Sequence, residues 1–230
     1  MRRLEPFFPG VAPAQWRQLE AMAALHREWN ARLNLVSSKD EAALEWHHYA
    51  PCLAASHFFR PAPGARVIDI GTGGGFPGLV LAVLFPRAEF VLSDSIGKKI
   101  AAVADIISRL SLRNATVRNV RVETLPGAGF DFATGRAVAS LDKFLPLARS
   151  LLRKGAASED GMENGVLYWQ GGPLADEEAR LGFAPAKVLD MEVLLQDARF
   201  QEKHLLHYPL SVLARLPRLG GSPVQGRGRR

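Results

Sequence analysis

The feature that most restricts this chain is the run Gly71-Thr72-Gly73-Gly74-Gly75-Phe76-Pro77, which follows directly on Val67-Ile68-Asp69-Ile70. The short apolar run has the texture of a buried strand. Glycines at its end let the backbone turn tightly and lie against a ligand with no Cβ in the way. Pro77 suits the first turn of a helix, whose free N–H groups then face the same spot. Strand, glycine turn and helix in that order make one unit of an open α/β sheet, in which ligands bind beyond the strand C-termini.

The rest of the chain repeats that alternation. Strands are expected at Ala65–Ile70, Glu89–Asp94, Ala115–Val120, Phe130–Thr134, Val166–Gln170, Lys187–Val193 and Gln201–Tyr208, and helices at Pro77–Phe85, Gly97–Leu110, Leu141–Leu152 and Ala175–Leu181. This predicts an α/β fold with a mostly parallel, seven-stranded, Rossmann-like sheet and helices on both faces. The last two strands leave no room for a crossover helix, so they should pair antiparallel. Upstream, Trp16, Leu19, Met22, Ala23 and Leu25 keep helical spacing over Ala14–Trp29. A second helix is expected from an N-cap at Asp40, bent at Pro51. The division is therefore 1–60 as an N-terminal helical extension, 61–210 as the α/β domain and 211–230 as a basic tail.

A glycine loop alone fits several ligands. A phosphate-binding P-loop needs Lys-Ser or Lys-Thr after its glycines, where this chain has Phe76-Pro77. A dinucleotide site needs a third glycine where Phe76 stands. What remains, Asp69-Ile70-Gly71-Thr72-Gly73-Gly74-Gly75, resembles the first motif of class I methyltransferases, whose cofactor carries a nucleoside but no phosphate. The second strand ends in Asp94, placed to accept from both ribose hydroxyls; on its own, Asp94 reads equally as a helix N-cap.

Further stretches make the resemblance specific: Asp69 to Gly78, Asp94-Ser95-Ile96-Gly97-Lys98-Lys99, Arg121-Val122-Glu123 and Gly135-Arg136-Ala137-Val138-Ala139-Ser140-Leu141, with Asn34-Leu35, Lys39-Asp40 and Glu202-Lys203-His204-Leu205 outside them. In order and spacing these are similar to the glucose-inhibited division protein B family, the small-subunit (16S) ribosomal RNA guanine-N7 methyltransferases, over roughly residues 15 to 210. The resemblance implies a class I fold and S-adenosylmethionine as methyl donor, leaving S-adenosylhomocysteine. It implies cofactor contacts from Asp69, Gly71, Gly73, Phe76, Asp94, Val122, Glu123 and Arg136, with Arg136 also positioning the acceptor. RNA contacts would come from Arg121, Arg136, Lys203 and His204. Three positions depart from the family pattern: Trp46 and Lys203 replace arginines, and Gln170 replaces a lysine.

The chemistry agrees by elimination. Thr134-Gly135-Arg136-Ala137 stands where amino-group methyltransferases hold an Asn/Asp-Pro-Pro-aromatic clamp, and the one cysteine, Cys52, precedes the first core strand and reads as a small buried hydrophobe. Guanine N7 has its own lone pair and needs no general base. His26, His47, His48, His57, His204 and His207 lack metal-ligand spacing, so no metal is expected. A single cysteine, no membrane-length apolar run and no signal-peptide pattern point to a cytoplasmic protein, expected as a monomer on ribosomal RNA or an assembling small subunit. The net charge of +6 is concentrated: Arg215, Arg218, Arg227, Arg229 and Arg230 lie in the tail with no acid, leaving +1 for residues 1–210. That tail reads as an arm for RNA phosphates or as a solvated end. Lys98 and Lys99 are open to the same two readings. Two alternatives stand beside the ribosomal one. The first is a methyltransferase of this fold acting on another RNA or a small molecule; the second is a non-catalytic nucleotide- or RNA-binding module.

Overall fold

The computed structural model describes residues 1–37, 42–127 and 129–216. Seven strands form one sheet: β1 Arg66–Ile70, β2 Glu89–Asp94, β3 Ala115–Asn119, β4 Phe132–Arg136, β5 Gly165–Gly171, β6 Lys187–Asp190 and β7 Lys203–Pro209. Their spatial order is β3-β2-β1-β4-β5-β7-β6. The first five run parallel, and β7 is antiparallel to both β5 and β6. The chain builds outward from β1 to β3, then returns to lay β4 on the other side of β1. That reversal opens a crevice at the C-terminal ends of β1 and β4, where a parallel sheet of this kind accepts a ligand.

Alternation along the strands divides the core in two. Val67, Phe90, Leu92 and Phe132 face α1 (Pro13–Asn30), α2 (Ala50–Leu53), α3 (Gly78–Leu84) and α4 (Gly97–Arg109). Ile68, Ile70, Ala133, Val166 and Leu206 face α5 (Leu141–Leu151), near α6 (Leu174–Leu181) and α8 (Leu210–Leu213). The helical extension belongs to the first core. Leu19 and Met22 of α1 are fully buried in it, and the Gln15 amide donates to the Val83 and Leu84 carbonyls at the end of α3.

Several boundaries differ from the sequence reading. β4 lies two residues further on than expected, because Phe130 makes only an isolated bridge to Leu152. β6 stops at Asp190 and not Val193: the Asp190 carboxylate accepts from the Glu192 and Val193 amides and caps α7 (Met191–Leu195). β7 starts at Lys203, after Glu202 at φ 55°. Pro77 is the N-cap of α3 and not its first residue. A π-helical turn, Glu45–Tyr49, leads straight into α2, with Pro51 at the start of the α-helical part. The Asp40 cap, Lys39-Asp40 and residues 217–230 of the tail lie outside the described residues. Among those described, no helix is long and apolar enough to cross a membrane.

Candidate active site

Beyond β1 the chain turns through Gly71, Gly73 and Gly75 at φ 66°, 56° and 97°, a region that side chains with a Cβ avoid. The Phe76 amide closes the turn on the Thr72 carbonyl at 3.0 Å, and the Thr72 amide reaches Ser93 O of β2 at 3.0 Å. A Cβ on Gly71 would stand 2.9 Å from Val138, so the loop and the segment after β4 approach as closely as glycine allows.

Beside this loop opens a cavity of about 530 Å³, lined by Gly71, Asp94, Ser95, Val122, Glu123 and Val138 among others. Asp94 closes β2 and borders it. One carboxylate oxygen accepts from the Gly73 amide at 2.9 Å and the other from the Ile96 amide at 2.9 Å. The carboxylate is thus both cap and loop tether, and each oxygen keeps a further lone pair for a ligand hydroxyl. The two readings of Asp94 hold together. A cavity of this size suits a nucleoside with an attached amino acid.

Asp69, expected among the cofactor contacts, stands beneath the loop and not on the cavity wall. Its side chain is buried, accepting from the Gly78 amide at 3.0 Å and the Thr134 hydroxyl at 2.7 Å. It fixes β1, α3 and β4 to one another. Burial raises its carboxyl to about 6, against the opposing pull of those hydrogen bonds. Asp69 therefore takes up a proton at about pH 6 when folded and near 3.8 when unfolded, so its contribution to stability grows as pH falls through that window. Relative to Asp69→Asn, which cannot titrate, the wild type should gain about 2 kcal/mol of unfolding free energy between about pH 8 and about pH 4. His26 and His207, lowered by burial to about 4, act in the opposite sense but equally in both proteins. Urea unfolding at several pH values measures the difference; parallel curves would contradict it.

Phe76 and Arg136 lie away from the large cavity's lining. Phe76 stacks on His26 with ring centres 4.6 Å apart, and the Arg136 guanidinium lies over its ring at 5.6 Å. Arg136 also donates to His48 Nδ1 and reaches the His47 and His48 carbonyls at 3.5 Å. With Lys203, Trp169 and Gln170 it lines a second cavity of about 230 Å³. Arg121, expected as an RNA contact, lines the large cavity beside Val122. His204 turns away from both: its Nε2 is 3.8 Å from the Asp190 carboxylate. Trp46 stands against Phe7 and Phe200, with Arg199 over its ring.

Sequence reading missed the brace behind the loop. His26, fully buried, accepts the Tyr49 hydroxyl at Nδ1 and donates from Nε2 to the Gly74 carbonyl, both at 2.7 Å. Gly74 O can only accept, which places the proton on Nε2. Burial lowers His26 to about 4, so it stays neutral near neutral pH. Cys52 is buried and pushed up to about 12, which leaves it an unreactive thiol, as expected from the sequence.

The model of the family described as rRNA small subunit methyltransferase G matches residues 15–158. The chain belongs to this family. The ribosomal RNA small subunit methyltransferase G of Flavobacterium johnsoniae is 34% identical over 91% of this chain and 98% of its own length. That of Christiangramia forsetii is 36% identical over 90% of this chain and 96% of its own. Among solved structures, a point mutant of MtNAS in complex with S-adenosylmethionine matches at a TM-score of 0.53 and 16% identity, covering 85% of this chain and 76% of that one. That likeness speaks to the fold. The family match covers the glycine loop, Asp94, Arg121 to Glu123 and Arg136, the residues gathered around the two cavities.

Proposed function

We propose that this member of the family binds S-adenosylmethionine in the large cavity and transfers its methyl group to N7 of a guanine in small-subunit (16S) ribosomal RNA. The observation that carries the reading is the Asp94 carboxylate, tethered to the glycine loop and bordering the cavity, with Phe76-Pro77 where a P-loop would carry its lysine. Asp94 would hold the ribose hydroxyls. Gly71 would leave room for the amino-acid part, and Val122 with Glu123 would hold the adenine. Gly73 acts through its amide on Asp94, and Asp69 and Phe76 shape the loop from behind.

When bound, S-adenosylmethionine supplies a methyl carbon made electrophilic by its positive sulfur, and S-adenosylhomocysteine remains. Guanine N7 has an in-plane lone pair of its own and would take the methyl group without losing a proton. No residue has to act as a base; Asp69 is buried under the loop and Asp94 is engaged by two amides. The protein's contribution is alignment, which is worth a large share of such a barrier. Arg136, fixed by His48 and Phe76, would position the acceptor. The helical extension and the arginine-bearing tail would add RNA contacts, and the protein would act as a monomer in the cytoplasm. The test is transfer of labelled methyl from S-adenosylmethionine to small ribosomal subunits lacking the modification, followed by nucleoside mapping. Label in 7-methylguanine of 16S RNA is expected; label in another base, or none, would contradict the reading.

A further inference from the structure

Behind the glycine loop lies a buried polar chain that starts on α1. The Gly74–Gly75 peptide is held at both ends. Its carbonyl accepts from His26 Nε2 at 2.7 Å, and its N–H donates to the Thr72 carbonyl at 2.8 Å. The Phe76 ring stacks on the same imidazole, with the His48 ring centre 5.1 Å and the Arg136 guanidinium 5.6 Å from its own. His26 therefore meets this stretch twice, once at a carbonyl and once at a ring. Its other nitrogen is also engaged: Tyr49, fully buried in the π-helical turn, donates its hydroxyl to Nδ1 at 2.7 Å.

We propose that His26 is a positioning residue for the cofactor: held by Tyr49 with its proton on Nε2, it keeps the glycine loop in the conformation that receives S-adenosylmethionine. The proposal rests on the cofactor reading above. Of the residues from Gly71 to Gly75 all but Thr72 lack a Cβ, so the loop has many backbone states open to it. Among the bonds that tie it to its surroundings, those of the Thr72 and Gly73 amides go to β2, and that of the Gly74 carbonyl goes to α1. Removing the His26 donor leaves a buried carbonyl unpaired unless the peptide turns to find another partner. A turned peptide takes the Gly75 amide off Thr72 and loosens the Gly73 amide from Asp94. The apparent Kd of a ligand rises as the inverse of the fraction of molecules in the receptive conformation. The helical extension, through one side chain of α1, thus sets cofactor affinity from behind the loop.

His26→Met and His26→Gln form a matched pair for the test. Both side chains are unbranched and of similar length, and both lose the ring stack on Phe76. Only glutamine keeps a donor and an acceptor at its end. Calorimetric titration with S-adenosylmethionine should give His26→Met a Kd raised by about 10-fold, within the range for a buried polar group left unpaired. His26→Gln should stay close to the wild type. In methyl transfer to small ribosomal subunits lacking the modification, KM for S-adenosylmethionine should follow the Kd while kcat at saturation holds, as for lost uniform binding. A lower kcat with unchanged KM would mark a merely structural role and overturn the proposal; so would equal Kd values for the methionine variant and the wild type. The wild type supplies a readout that no folding failure can obscure. Nitrogen NMR of the His26 ring should find the proton on Nε2, and that proton should exchange with water more slowly once S-adenosylmethionine is bound, by the reciprocity of linked equilibria. A proton on Nδ1, or an exchange rate indifferent to S-adenosylmethionine, would overturn the assignment. A wild-type chain that does not bind S-adenosylmethionine removes the cofactor reading itself, whereas wild-type binding with unaltered variants removes the role of His26 alone.

Discussion

Replacing Asp94 by Ala is expected to raise the Kd for S-adenosylmethionine by about 10- to 100-fold, because a hydrogen bond to a charged group is worth about 1.5–3 kcal/mol and at least one ribose contact is lost. The carboxylate has a second task. It accepts the Gly73 amide at 2.9 Å, so its removal also frees the middle of a loop whose glycines already carry the conformational cost. Asp94→Asn separates the two tasks. An amide keeps one oxygen, which can hold the Gly73 amide and one hydroxyl, but puts an NH2 group where the second accepting oxygen was, so its Kd should fall between those of the wild type and Asp94→Ala. Calorimetric titration reads both variants. Wild-type affinity in Asp94→Ala would remove Asp94 from the cofactor site.

Arg136→Met is expected to cost about 100-fold in kcat/KM for ribosomal subunits while leaving the Kd for S-adenosylmethionine close to wild type, since misplacement by about 1 Å can have that effect. The guanidinium lies over Phe76, donates to His48 and lines the second cavity but not the first. Methionine keeps much of the length and loses every donor. A stopped transfer with unchanged cofactor affinity places Arg136 on the acceptor side. A Kd that rises in step with the lost activity would move Arg136 to the cofactor side.

The glycine-loop half of the candidate site was legible because its signals are local. Glycines after a buried strand, and a carboxylate at the end of the next strand, sit within short reach in sequence and each has a physical reason to be there. Resemblance added Val122 and Glu123, which the structure brings to the same wall. The half around Arg136 depends on contacts between distant segments. Trp169 is held by Pro51, 118 positions away, and Gly74 by His26, 48 positions away. Nothing in helical periodicity distinguishes a histidine that reaches a loop carbonyl from one that packs in a core. Asp69 illustrates the opposite error. Its place before the glycines suggested ligand contact, but strand alternation turns it toward α3, where the Gly78 amide takes its carboxylate. The strand ends were missed for a related reason: Asp190 terminates β6 with a side-chain cap, and the alternation of Met191 and Val193 beyond it gave no sign of that.

The proposed activity turns on a nucleoside that carries no phosphate lying against the glycine loop and Asp94. Titrating the purified protein with S-adenosylmethionine, and separately with NAD, tests that directly. Saturable binding of S-adenosylmethionine with no heat from NAD is the predicted result. Binding of NAD in its place, or silence toward both, would contradict it.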